Sequence, residues 1–188
     1  AADIIFNRCL EEYGLDKDVL REKTLRMNPP QLIMSIKTGR LDAAFLPEHY
    51  ATLAESLGFQ MLLESKEIWP DYQGSVLVAT AELCEQRPDI VKKLAAVSRR
   101  ATEWINHHPE EAAAIVTAEL QGAEDRIFPI RASRLAKRLG LTEEVIRKSM
   151  ARMEYTADLD PGTIQDIIDY MIELDYIPAG VTAEDVLH

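Results

Sequence analysis

Cysteine is almost missing from this chain. Cys9 and Cys84 are its only two, they lie far apart, and neither sits in the CxxC or CxxH patterns that hold zinc or run thiol chemistry. Both read as apolar thiols rather than as a disulfide pair. Basic charge is also short: 21 Lys and Arg stand against 32 Asp and Glu, a net charge of −11. A nucleic acid or an anionic membrane surface needs a basic face, so neither is expected as the main partner. The local basic cluster Arg131, Arg134, Lys137 and Arg138 has the spacing of a solvated helix side. No apolar run approaches the roughly 20 residues that span a bilayer. No secretory leader opens the sequence; AADIIFNRCLEEYG starts as a helix already under way, as expected of a cytosolic protein or of a mature or truncated chain. GxGxxG, the phosphate-binding GxxxxGK signature, GxSxG and HExxH are all absent. His107 and His108 are adjacent, so a helix points them in different directions, and with Pro109 behind them they read as helix-end caps rather than metal ligands. No metal and no cofactor is expected.

What is present is an ordinary globular composition, 47% hydrophobic over 188 residues, enough for one domain or two small ones. The organising stretch is 39–58, GRLDAAFLPEHYATLAESLG. Leu41, Ala43, Ala44, Phe45 and Leu46 form a short apolar run behind Gly39, of the length expected for a strand buried on both faces. Pro47 ends it, having no N–H for a ladder and a φ suited to a first helical turn, and Glu48 places a carboxylate at the positive end of the helix that follows. Strand-to-helix exits are where small ligands dock in open α/β sheets. The same stretch also reads as a plain βα turn in a core.

In chain order, residues 2–13 predict an amphipathic helix with Ile4, Ile5, Cys9 and Leu10 on one face. Residues 23–27 predict a strand ending at Asn28-Pro29-Pro30, and 31–37 a helix. After the helix at 48–57 come strands at 59–63 and 75–80, joined by the aromatic, proline-broken connector 68–72. This order implies a parallel sheet covered by helices. From Pro88 onward only helices are expected: 88–107, 109–120, 132–139, one from the Thr142 cap to about Met153, and one opening at Asp160-Pro161. Residues 121–129 are expected as a loop and 178–188 as a loose tail. His49, beside Glu48, is open to two readings, ligand contact or a surface helix position. Trp69 and Tyr72 either stack on a ligand or cover a sheet edge.

The strand ending near Asn28-Pro29, the stretch GRLDAA at 39–44, the Pro-Glu exit, and SVLVATAELCEQRPDIVKKLAAVSRRATEWINHHPEEAAAIV together resemble the nitrate/sulfonate/taurine class of extracytoplasmic substrate-binding proteins that serve ABC importers, thiamine-pyrimidine-synthase-like proteins included. The resemblance covers roughly residues 1–177. It implies an α/β, type II periplasmic-binding-protein-like fold, a parallel sheet flanked by helices followed by a helical C-terminal half. Residues 1–66 are then most of lobe 2, 67–80 the hinge and return strand, 81–177 the C-terminal helical part of lobe 1, and 178–188 the tail. The opening of lobe 1 and the signal peptide are absent on this reading, so the chain is expected to be a C-terminal portion whose exposed core is covered by the missing part or by a second copy. Family members often carry Trp-Glu-Pro where this chain has Leu46-Pro47-Glu48, so the stacking aromatic is missing at Leu46, with Phe45 or Trp69 as substitutes.

The expected function is a periplasmic or otherwise extracytoplasmic binding protein, not an enzyme, that captures a small organic or anionic solute between two lobes and delivers it to a membrane permease. Its expected substrate-binding residues are Asn28, Leu46, Pro47, Glu48, His49 and Trp69. Glu48 suits a purely anionic ligand poorly, which favours an organic solute with a donor or cationic group. The alternatives are an enzyme on the same fold, of thiamine-pyrimidine or menaquinone-pathway type with His49 as its candidate reactive group, and a ligand-sensing domain.

Overall fold

A computed structural model describes residues 2–127 and 139–187 of the chain. Local helix-start chemistry decides most of the architecture. The helix α1 (Ala2–Glu12) buries Ile4, Ile5 and Leu10, and α2 (Lys17–Lys23) begins where the Asp16 carboxylate accepts from the N–H groups of Asp18 and Val19, both at 3.0 Å. Prolines at the first positions start α3 (Pro29–Lys37), α7 (Pro88–His107) and α8 (Pro109–Ile127). Between them lie α4 (Glu48–Ser56), the single turn α5 (Ser65–Ile68) and α6 (Ala81–Gln86), which Thr80 caps through a 3.2 Å bond from Leu83 N–H. Thr142 caps α9 (Glu143–Met150), and Asp160 caps α10 (Pro161–Glu173) with 2.7 Å from Thr163 N–H. A short last helix, α11 (Ala183–Val186), packs on α10 where a loose tail is expected, with Ala183 N–H donating to Gln165 Oε1 at 2.7 Å.

The core is helix against helix. Ile33 from α3, Tyr50, Leu53 and Ala54 from α4, Ala112 and Ala113 from α8, Leu141, and Val145, Ile146 and Met150 from α9 form one buried cluster. The helix α9 is its middle element, packed on α4 at one side and on α8 at the other. Small Ala112 and Ala113 let α9 approach α8 closely.

This overturns the α/β, parallel-sheet expectation. Among the described residues there is no strand and no sheet. The stretches expected as strands, at 23–27, 41–46, 59–63 and 75–80, are irregular connections, save Lys23, the last residue of α2. Their flanks do carry extended dihedrals: Thr24 at φ −82° and ψ 126°, and Thr80 at φ −72° and ψ 149°. Extended backbone becomes a strand only when a neighbour completes its ladder. Here the apolar faces that were to cover a sheet cover one another, α4 on α9 and α9 on α8, and the β-prone runs are left outside. Phe45 is 40% exposed, Leu62 75% and Val78 80%. Among the described residues, no backbone group from Ser75 to Ala79 makes a backbone hydrogen bond.

Two smaller differences lie in the second half. Helix α8 continues through Gln121 to Ile127, where a loop is expected. The helix expected at 132–139, with its basic cluster of Arg131, Arg134, Lys137 and Arg138, lies outside the described residues apart from Leu139.

Candidate functional site

Five of the six sequence-selected residues fall into two neighbourhoods, Leu46 to His49 in one and Trp69 in the other. The first is built on the start of α4. Pro47, extended at φ −57° and ψ 148°, turns the chain into the helix, and Leu46 before it packs against the core. Glu48 accepts a 2.7 Å hydrogen bond from Thr52 Oγ1 one turn on, and Arg152 reaches the same Glu48 oxygen at 3.5 Å. Arg152 also donates to Thr52 Oγ1 at 3.0 Å and to Glu55 Oε2 at 2.6 Å, and stands 4.0 Å from Glu64. Glu55 first, and Glu48 with it, raise the guanidinium's pKa further. The second Glu48 oxygen is buried and has no hydrogen-bond partner among the described residues. His49 tilts against Tyr50 with ring centroids 4.6 Å apart. Burial lowers its pKa, partly offset by the Glu48 charge. Asn28 stands at the start of α3, where its N–H donates to Gln31 Oε1 at 3.3 Å.

The second neighbourhood surrounds Trp69, the residue that closes α5. Its indole meets Tyr170 of α10 edge to face at 5.8 Å and Tyr72 at 5.5 Å. The Arg8 guanidinium, from α1, sits 5.6 Å from the Trp69 ring and 5.4 Å from the Tyr170 ring. Each such cation–π contact is worth about 0.5–1 kcal/mol where exposed and more when dry. Tyr170 is 4% exposed, and burial first, then the Glu11 carboxylate beside its hydroxyl, push its pKa up. Glu11 itself is raised by burial but held below the ordinary carboxylate range overall by Lys17 and by the Tyr170 hydroxyl.

One helical turn joins the two neighbourhoods. Glu64, at the start of α5, belongs to the Arg152 cluster, and Trp69, at its end, belongs to the aromatic cluster. Sequence reasoning selected Glu48 and Trp69 but not Arg152, Arg8 or Tyr170. The last two belong to amphipathic helices and carry no local signal, since their roles come from partners far along the chain.

A family model described as NMT1-like matches residues 1–120. The chain belongs to the NMT1-like family. No curated protein and no solved structure matches it. The NMT1-like match takes in Asn28, the start of α4, Trp69 and Arg8, and stops before Arg152 and Tyr170. This family is associated with substrate binding for ABC transporters, and its members are mostly binding proteins, typically extracytoplasmic. Among the described residues no helix is long and apolar enough to cross a membrane.

Proposed function

We propose that this NMT1-like protein is the extracytoplasmic solute-binding component of an ABC importer, which captures a small organic or anionic solute and hands it to a membrane permease. The observation that carries this is the family match over residues 1–120. Every residue selected for solute contact, Asn28, Leu46, Pro47, Glu48, His49 and Trp69, lies inside that match. The two neighbourhoods give the reading chemical substance: a buried Glu48 oxygen without a hydrogen-bond partner among the described residues, and aromatic faces presented together beside a cleft. Binding of this kind draws its affinity from desolvating the solute and orienting it with a few polar groups, and it forms no covalent intermediate.

Native mass spectrometry of the purified chain, followed by identification of whatever denaturation releases, tests the proposal. A solute retained at one equivalent is the expected result. A chain that carries none, and that binds none of the nitrate, sulfonate, taurine and pyrimidine solutes in titration, overturns it. Glu48→Ala tests whether the first neighbourhood takes part: weaker retention of the identified solute keeps Glu48 in the site, and unchanged affinity removes it.

A further inference from the structure

The cleft beside Trp69 has a charge and a shape that point to one class of ligand. We propose that it binds the ammonium or guanidinium group of a small organic cation, and that Arg8 is a resident cation which the ligand displaces. This rests on the solute-binding reading above and names its substrate class.

The cleft is about 370 Å³ and is lined by Arg8, Trp69, Asp166, Asp169, Tyr170 and Glu173. That volume suits a small solute. Trp69 and Tyr170 meet at 78°, so a positive group can lie near both rings at once, as the Arg8 guanidinium does at 5.6 and 5.4 Å. Around these rings stand the carboxylates of Asp166, Asp169 and Glu173 against the single positive charge of Arg8. An anionic solute is repelled from such a lining, and a cationic one is drawn in. A bare metal ion is not the match: among the described residues no group of His, Cys, Asp or Glu is clustered closely enough to hold one.

Arg8 is also poorly anchored by charge. Its ion pair is with Glu11, one turn along the same helix at 3.7 Å, and Lys17 already bonds that carboxylate. The Arg8 side chain is 47% exposed. The aromatic faces therefore do much of the holding, and an incoming cation competes for those same faces while Arg8 swings into water.

The test is a titration of the whole chain with choline, with its uncharged isostere 3,3-dimethyl-1-butanol, and with ethanesulfonate, followed by the indole N–H resonances of Trp69 and, as an internal control, Trp104. Choline is expected to shift Trp69 saturably and leave Trp104 in place, with the alcohol at least tenfold weaker. Arg8→Ala is expected to tighten choline binding at least threefold, because the resident competitor is gone, and Asp169→Asn to weaken it. Equal affinity for choline and the alcohol overturns the proposal in favour of an apolar slot. Ethanesulfonate binding that Arg8→Ala abolishes overturns it in favour of an anion site, and leaves the solute-binding reading intact. No choline response from the wild type or from Arg8→Ala overturns it whatever solute the native protein retains.

Discussion

Arg152 holds together carboxylates that would otherwise repel one another, those of Glu48, Glu55 and Glu64, along with the Thr52 hydroxyl. Its side chain is 28% exposed, so the pairs are only partly screened by water. Arg152→Ala is expected to cost about 2 kcal/mol, read as a lower urea midpoint, because the acids are left unpaired. Arg152→Lys should recover less than half, since an ammonium cannot fork between several oxygens. A loss under about 0.5 kcal/mol for the alanine variant would make the cluster a screened surface feature. His49 gives a pH signature. Burial lowers its pKa, so the unfolded chain binds a proton that the folded one resists. Its contribution is fully present above the unfolded value of about 6.5 and erodes as the pH falls from there toward the lower folded value. Unfolding midpoints at pH 7.5 and 5.5 should therefore differ more for the wild type than for His49→Phe. Neither cluster was fully legible in the sequence. Glu48 and Trp69 stand out by their places beside prolines, whereas Arg152 meets Glu48 across 104 positions and leaves no local trace.

Helix α9 has only a few turns yet joins the two sides of the core, so its substitutions should be felt more than those on the longer α7. Ile146 is 1% exposed, and Ile146→Ala is expected to cost about 3 kcal/mol by thermal or urea unfolding. Leu94→Ala on α7, at a site 44% exposed, should stay within about 0.5 kcal/mol. The start of α9 is written plainly in the sequence, with Thr142 as cap and glutamates in the first turn. The same holds for Asp160 ahead of α10 and for the prolines that open α3, α7 and α8. At the end of α7, His107 and His108 each bring Nδ1 against the carbonyl one turn back, that of Glu103 at 2.6 Å and that of Trp104 at 3.0 Å. These signals act within one turn and need no distant partner. Strands are the opposite case. SVLVAT at 75–80 has the composition of a strand, but a ladder is a property of two segments, and a run such as Leu41 to Leu46 cannot say whether its neighbour is a strand or a helix.

The whole molecule exposes 12799 Å², against about 9,100 Å² expected of a compact monomer of its mass. Part of the excess is the apolar edge of Val76, Leu77 and Val78 and the α7 positions Leu94 and Val97. Val78→Asp is therefore expected to leave the melting temperature within about 2 °C and to reduce binding of an apolar dye. A larger drop would show that Val78 is covered in solution. Packing across the chain is concentrated in a few clasps. Helix α4 grips α9, the Asp3 carboxylate accepts from the Tyr176 hydroxyl, and Asn7 reaches the same hydroxyl at 3.2 Å. Each of these clasps joins a residue before Leu77 to one after it, and Leu77 itself lies in an exposed stretch without backbone pairing among the described residues. A single nick there should thus release nothing: the two fragments ought to migrate together through a sizing column and, after separation in denaturant, to find each other again on mixing.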